Sequence, residues 1–264
     1  MSDRVRVCLS IAGSDSGGGA GIQADLRAFA RCGVHGTTAI TAITAQNTVA
    51  VTAVEPVSPA MIEEQVRAVA ADIHIDAVKI GMLADAATIA AVVRALDRLP
   101  DGTPVVVDPV MVAESGARLL ASDAQQALVR DVLPRATVVT PNVPEARALC
   151  GLAQADGEEL ARAVLALGPT AVVVTGGHRE EATDVYVDAD GPAVLIPGPR
   201  HPDGAAHGSG CTHASALAAH LARGVPRVQA ARAAREIAAE AVLHGLRGVG
   251  QGAGPVDALH ITGR

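Results

Sequence analysis

The feature that most constrains this chain is a repeated alternation of short, almost wholly apolar runs with helical segments. The runs fall at residues 5–11, 77–80, 104–107, 137–140 and 171–175. Strands buried on both faces read as continuous apolar runs. Neighbouring parallel strands must be joined by a crossover long enough for a helix, and residues 22–32, 58–73, 85–99, 122–133 and 158–167 supply such segments. This order, repeated over most of the chain, predicts an α/β protein with a mainly parallel central sheet and helices on both faces. In such sheets ligands lie at the carboxyl ends of the strands.

The junctions support this register. Ser58 reads as an N-cap with Pro59 in the first turn, Asp85 and Ser122 read as caps, and Pro141-Asn142-Val143-Pro144-Glu145 opens another helix. Residues 37–45 and 49–57 read as two further strands. Residues 183–187 and 193–196, separated by Asp188-Ala189-Asp190-Gly191-Pro192, predict an antiparallel hairpin towards the C-terminal end. Helices are expected over residues 211–222 and 226–246, before a Gly-rich tail at 250–255. No linker interrupts the pattern, so residues 1–264 are expected to form one domain.

Composition narrows the functions open to such a domain. Hydrophobic residues are 49% of the chain but aromatics only 1%, so the core must be built from Ala, Val, Leu and Ile. Aromatic stacking platforms for single-stranded nucleic acid are excluded by that scarcity, and a net charge of −7 argues against phosphate-backbone binding. Four cysteines, Cys8, Cys32, Cys150 and Cys211, lie far apart without C-x-x-C spacing, which suggests neither a zinc site nor a disulfide framework. The start is short and polar, and no uncharged apolar run reaches the ~20 residues of a membrane span. A soluble, cytoplasmic protein without membrane or nucleic-acid partners is expected.

Two glycine-rich turns open onto helices. Gly13 to Gly21 follows the first strand but matches neither a P-loop nor a dinucleotide fingerprint. His207-Gly208-Ser209-Gly210-Cys211-Thr212 runs into an Ala-rich helix. Helix starts present unpaired N–H groups and positive dipole ends, so this turn is suited to an anion. The same field should lower the pKa of the Cys211 thiol, making it a base or nucleophile near neutral pH. Polar residues gather at the other strand ends: Asp15 and Asp25, Gln46 and Asn47, Lys79, Asp108, Asn142 and Glu145, and Gly176-Gly177-His178. Singly, each is as readily a cap or turn residue. Together they suit Mg²⁺ with nucleotide phosphates.

These motifs carry a resemblance. The stretch from Ile11 to Asp25, together with Thr44-Ala45-Gln46-Asn47-Thr48, Lys79-Ile80-Gly81-Met82, Val107-Asp108-Pro109-Val110-Met111, Thr140-Pro141-Asn142-Val143-Pro144-Glu145, Gly176-Gly177-His178 and His207-Gly208-Ser209-Gly210-Cys211-Thr212, resembles the hydroxymethylpyrimidine/phosphomethylpyrimidine kinases of thiamine biosynthesis. These belong to the ribokinase-like superfamily. The resemblance implies a three-layer ribokinase-like fold, a homodimer, and ATP- and Mg²⁺-dependent phosphorylation of a hydroxymethylpyrimidine and of its monophosphate. It implies an anion hole at Gly208, Ser209 and Gly210, with Cys211 as base. Gln46 would read the aminopyrimidine edge in a pocket lined by Gly13, Ala20, Asp25, Met82 and Val110. Asn142, Thr175, Gly177 and His207 would meet the nucleotide, and Asp108 and Glu145 the metal. Pyridoxal kinases share much of this pattern, so a pyridoxal or pyridoxine kinase is one alternative, and a weakened pyrimidine- or nucleotide-binding protein is another.

The chain departs from the family pattern at three places. Thr175 stands where a lysine is usual, with Arg179 the nearest candidate replacement. Ala205-Ala206 replaces Asn-Thr, and Ser209 replaces a threonine.

Overall fold

The structure, a computed structural model, describes residues 4–113, 116, 119–121, 123–176, 182–202 and 204–261. Its strands are β1 (Val7–Ala12), β2 (His35–Ile40), β3 (Ala42–Gln46), β4 (Val51–Pro56), β5 (Ala77–Ile80), β6 (Val105–Val107), β7 (Val138–Val139), β8 (Ala171–Val174), β9 (Asp184–Asp188) and β10 (Val194–Ile196). The helices are α1 (Gly21–Arg31), α2 (Pro59–Ala70), α3 (Ala86–Leu96), α4 (Ala124–Ala127), α5 (Val143–Cys150), α6 (Gly157–Leu165), α7 (Ser209–Ala222) and α8 (Arg227–Leu243). Eight strands form one sheet in the order β10-β9-β8-β7-β6-β5-β1-β2. From β2 to β8 all pairings are parallel, and the expected hairpin, β9 with β10, adds an antiparallel edge.

Both faces of the sheet are apolar, and the two-residue period of a strand assigns each side chain to its layer. Leu9 and Ile11 of β1 pack with Ile62 and Val66 of α2 and Ile89 and Val92 of α3. Cys8, on the opposite face, joins Phe29 of α1, Leu217 of α7 and Ala234 of α8. Each fully buried Leu, Ile or Val contributes about 1.5–3 kcal/mol, so a three-layer core needs few aromatics. Alanine does the rest: Ala216, Ala218, Ala219, Ala230 and Ala231 are fully buried where α7 meets α8. Ser58 accepts a hydrogen bond from the Met61 N–H, and Asp85 accepts one from Thr88, so both expected caps are present.

Two sequence expectations change. Residues 37–45 form two strands rather than one, broken at the fully buried Thr41. Thr41 donates its N–H to Ala12 and its hydroxyl to Met82 and accepts from Val57, an anchorage that turns the chain out of the main sheet. β3 then pairs antiparallel with β4 in a separate two-stranded sheet. The helix expected over 122–133 is α4 followed by a π-helical turn (Leu128–Val132) and a 3₁₀ turn (Leu133–Arg135), because Pro134 has no N–H to continue an α-helix. Its expected cap, Ser122, lies outside the described residues.

The chain places β2 on one side of β1 and β5 on the other. Such a reversal leaves a crevice at the carboxyl ends of the flanking strands. The ends of β1, β5, β6, β7 and β8 open there, facing the start of α7.

Candidate active site

A cavity of about 370 Å³ occupies this crevice, lined among others by Gly13, Ala20, Gln46, Met82, Asp108, Val110, Asn142, Glu145, Thr175 and the whole of His207 to Cys211. Its floor is made where the two glycine loops meet. Gly208 has φ +88°, and a Cβ there would stand 1.8 Å from the Gly19 carbonyl oxygen. A Cβ on Gly19 would lie 2.1 Å from the His207 ring, so only glycines allow this approach. Asp15 is the hub. Its carboxylate accepts the N–H groups of Gly17, Gly19 and Ala20 and lies 2.9 Å from His207 Nε2. Burial opposes the Asp15 charge, but His207 and the Ala20 and Gly17 N–H groups prevail and hold its carboxyl below the usual range. His207 therefore braces one loop against the other as well as lining the cavity.

α7 begins at Gly208 without a side-chain cap. The N–H groups of Gly210 and Cys211 carry no partner among the described residues, and a 14-residue helix directs its dipole at them. The expectation for the thiol is nevertheless overturned. Burial pushes the Cys211 pKa up to about 12; Lys79 and the Gly21 N–H work against the rise, while Asp108 and Asp25 add to it. Desolvation of a thiolate outweighs the helix field, and Cys211 in the free protein is a neutral thiol.

Lys79, the only lysine in the chain, is fully buried with its ammonium 2.8 Å from Asp25 and 3.9 Å from Asp108. Burial works against its charge, but the Asp25 carboxylate beside it, with Asp108, prevails and raises its pKa, so it stays charged. Asp25 also accepts the hydroxyls of Ser10 and Ser215. It is fully buried one layer behind the cavity and does not line it, contrary to the sequence expectation. The reason is its place on the inner face of α1, where it serves as the counter-ion of Lys79.

Gln46 reaches the cavity through a β-bulge, the register of β3 and β4 shifting between Ala45 and Gln46. A bulge re-aims the side chain that follows it. Thr44 donates its hydroxyl to the Ser14 carbonyl at 2.8 Å and lies 3.3 Å from Gln46 Oε1, and Gly13, Ala20, Met82 and Val110 line the same cavity.

Asn142 and Glu145 form a capping box at the start of α5, each side chain accepting the other's backbone N–H at 2.9 Å. The bland reading of these residues is thus correct, yet both line the cavity. Burial, then the Asp108 charge, raises the Glu145 pKa. Burial likewise raises that of Asp108 against the pull of Lys79. Among the described residues no group of three or more His, Cys, Asp or Glu side chains is placed to hold a metal by itself. Two buried carboxylates that resist ionising together nonetheless fit Mg²⁺, which keeps its waters and is commonly held by one or two carboxylates plus substrate phosphates. Thr175 directly follows β8, half-buried, with its N–H donated to the Pro141 carbonyl. Gly177, His178 and Arg179 lie outside the described residues.

The far end of the cavity holds residues that sequence reading did not single out: Asp184, Arg200, His201, His213 and Arg235. They come from β9, a loop, α7 and α8, with no spacing to connect them. The one local signal is His213, a histidine in a helix of mostly small residues.

A sequence model of the phosphomethylpyrimidine kinase family matches residues 15–257. The hydroxymethylpyrimidine/phosphomethylpyrimidine kinase of Rhizobium meliloti (strain 1021) is 50% identical over 261 residues, covering 96% of this chain and 97% of its own. Among solved structures, a Staphylococcus aureus pyridoxal kinase in complex with ADP is similar with a TM-score of 0.87 at 32% identity, over 97% of this chain and 94% of its own. The phosphomethylpyrimidine kinase of Clostridium difficile 630 is similar at 0.78 and 38% identity, over 90% and 99%. The ribokinase-like architecture is common to them, and no helix among the described residues is long and apolar enough to cross a membrane.

Proposed function

The chain belongs to the phosphomethylpyrimidine kinase family, and from that membership we propose that it transfers the γ-phosphoryl group of ATP to 4-amino-5-hydroxymethyl-2-methylpyrimidine, and then to the monophosphate, in thiamine biosynthesis. The observation that carries this reading is the convergence in one cavity of the open α7 start, the buried acids Asp108 and Glu145, and the bulge-directed amide of Gln46.

Phosphoryl transfer asks for positioning and neutralisation of charge more than for covalent chemistry. Gln46 holds the aminopyrimidine edge, with Met82 and Val110 against the ring. The N–H groups of Gly210 and Cys211 receive the equatorial oxygens of the phosphoryl group. Asp108 and Glu145 would hold Mg²⁺, which supplies charge neutralisation at the phosphates. Cys211 Sγ accepts the hydroxymethyl proton as its thiolate, the thiol's own proton having gone to solvent as the substrates bind; the open α7 start and the charged Lys79 beside Asp25 and Asp108 offset the negative charge of the group. Asn142 and Thr175 border the nucleotide. A homodimer accords with the family resemblance.

The test is an ATP-consumption assay with the hydroxymethylpyrimidine and pyridoxal side by side. Turnover of the pyrimidine at the higher kcat/KM is expected. Turnover of pyridoxal alone would replace the pyrimidine assignment, and tight binding without turnover of either would make the protein a sensor.

A further inference from the structure

Three buried polar side chains at the far end of the cavity take no part in the chemistry above. Asp184, the first residue of β9, accepts the Gly176 N–H at Oδ1 (2.8 Å). Its Oδ2 lies 3.5 Å from His213 Nε2, and its Oδ1 lies 3.8 Å from Arg235 Nε. The Arg235 guanidinium donates to the Ala182 carbonyl at 2.6 Å and to the Pro199 carbonyl at 3.3 Å. Two glycines make room for the arrangement. A Cβ on Gly198 would stand 2.6 Å from Arg235 Nε, and one on Gly176 would stand 2.1 Å from the Thr183 carbonyl oxygen. Asp184 Oδ2, His213 Nε2 and Arg235 Nε are buried without a hydrogen-bond partner.

An apolar trio would fill this space without desolvating two charges, and replacements of that kind are often neutral or stabilising. What an apolar trio cannot do is hold backbone polar groups. Here Asp184 fixes one N–H, at Gly176, and Arg235 fixes two carbonyls, at Ala182 and Pro199, while His213 packs against the Asp184 carboxylate. Thr175, Ala182, Pro199, Arg200 and His201 wall the same end of the cavity.

We propose that Asp184, His213 and Arg235 form a positioning network for the nucleotide, Arg235 being the residue that ties the segment before β9 to the segment after β10. The inference rests on the kinase reading and deepens it. None of the three touches the reacting atoms; they set the spacing of the walls between which ATP lies.

An Arg235→Met change alone leaves the Asp184 carboxylate buried and uncompensated, which destabilises the fold whatever its role. The deciding variant is therefore the double change Asp184→Asn and Arg235→Met. It keeps an acceptor for Gly176, removes both charges together so that neither is left uncompensated, and frees the Ala182 and Pro199 carbonyls. The expected result is a melting midpoint near wild type, kcat at saturating ATP within about threefold, a pyrimidine KM unchanged, and an ATP KM raised roughly tenfold or more. Arg235→Lys, which can reach one carbonyl but not both, should fall between. An ATP KM within about twofold of wild type in the double variant, or equal changes in kcat and both KM values, would overturn the network. Calorimetric titration with ADP separates this failure from that of the kinase reading. Wild type and double variant binding ADP alike removes the network only, whereas a wild type that neither binds ADP nor consumes ATP removes the kinase itself.

Discussion

At the acceptor end of the cavity backbone lies directly on backbone, Gly208 against Gly19, with Asp15 holding three N–H groups of one loop and bracing His207 of the other. At the β8–β9 end, that of the nucleotide, Gly176 also lies close on the Thr183 carbonyl, but the loops are tied mainly by side chains: Arg235 reaches two loop carbonyls from α8, and Asp184 reaches Gly176 from β9. The first construction is set by hard-sphere limits and tolerates no added atom. The second is set by charges and long side chains, which adjust. The acceptor end should therefore fail abruptly on substitution, and the nucleotide end by degrees.

The largest effect should come from Gly208→Ala. It combines a left-handed φ with a Cβ 1.8 Å from a carbonyl oxygen, so a loss of roughly 3 kcal/mol or more is expected, read as a melting midpoint lower by roughly 6 °C or more. Gly210→Ala, two residues on, is the control. A Cβ there meets nothing nearer than Asp108 Oδ2 at 4.0 Å, so the fold should hold while the methyl group intrudes on the phosphoryl site and lowers kcat. Equal melting midpoints for the two variants would erase the distinction between a structural and a ligand-facing glycine in this turn.

The same contrast explains what the sequence made legible. A backbone-on-backbone contact needs glycines at fixed positions, and a loop held by one carboxylate needs that Asp beside them, so residues 13–21 and 207–211 announce themselves locally. The alternation of apolar runs and helices likewise followed from period and length alone. The network at the other end joins residues 176, 184, 213 and 235, whose proximity exists only once β9 has paired with β8 and α7 and α8 have packed on the sheet. The thiol misled for a related reason. The helix start above Cys211 is visible in sequence, but the burial that outweighs it is a tertiary property. Asp25 was placed in the correct neighbourhood, yet its facing towards Lys79 rather than the ligand depends on how α1 is rotated.

Cys211→Ala tests the acceptor end chemically. Loss of the proton acceptor should lower kcat for the hydroxymethylpyrimidine by roughly 100-fold, with its KM little changed. With the monophosphate as acceptor the attacking oxygen belongs to a phosphate whose second pKa is about 6, already ionised at pH 8. That reaction should fall by less than about tenfold. Cys211→Asp should retain more of the first activity than alanine. Near-normal turnover of the hydroxymethylpyrimidine by the alanine variant would leave Cys211 a packing residue.

Between the two ends stand Asp108 and Glu145, whose pKa values are both raised. A carboxyl that titrates higher folded than unfolded stabilises the fold below the ordinary carboxylate range, ~4, and that contribution is lost as the pH rises through the folded value. Glu145→Gln can still accept the Asn142 N–H. Without divalent cations it should melt higher than wild type at pH 8 and level with it at about pH 4. Mg²⁺ should in turn stabilise wild type by several-fold more in apparent affinity at pH 8 than at pH 6, because binding displaces protons. An equal Mg²⁺ response at both pH values would mean that the pair does not hold the ion.

The smallest effect, and the finest probe of the adjustable end, is expected at Thr175. Lys79 is held by Asp25 and stands near Asp108, and Arg235 donates to Ala182 and Pro199 while facing Asp184. Arg200, exposed on the cavity rim, has no ion-pair or hydrogen-bond partner among the described residues. Thr175, half-buried directly after β8, offers the phosphates a neutral hydroxyl where an ammonium would make a charge-assisted contact. Such a contact is worth about 1 kcal/mol beyond a neutral one in a partly solvated site, or roughly fivefold in affinity. Thr175→Lys should therefore lower the ATP KM by about that factor and reduce the Mg²⁺ needed for half-maximal rate, with the pyrimidine KM unchanged. If the ATP KM stays level or rises, the charge is already supplied, and Arg200→Ala, measured in the wild-type background, should then raise the ATP KM by a similar factor.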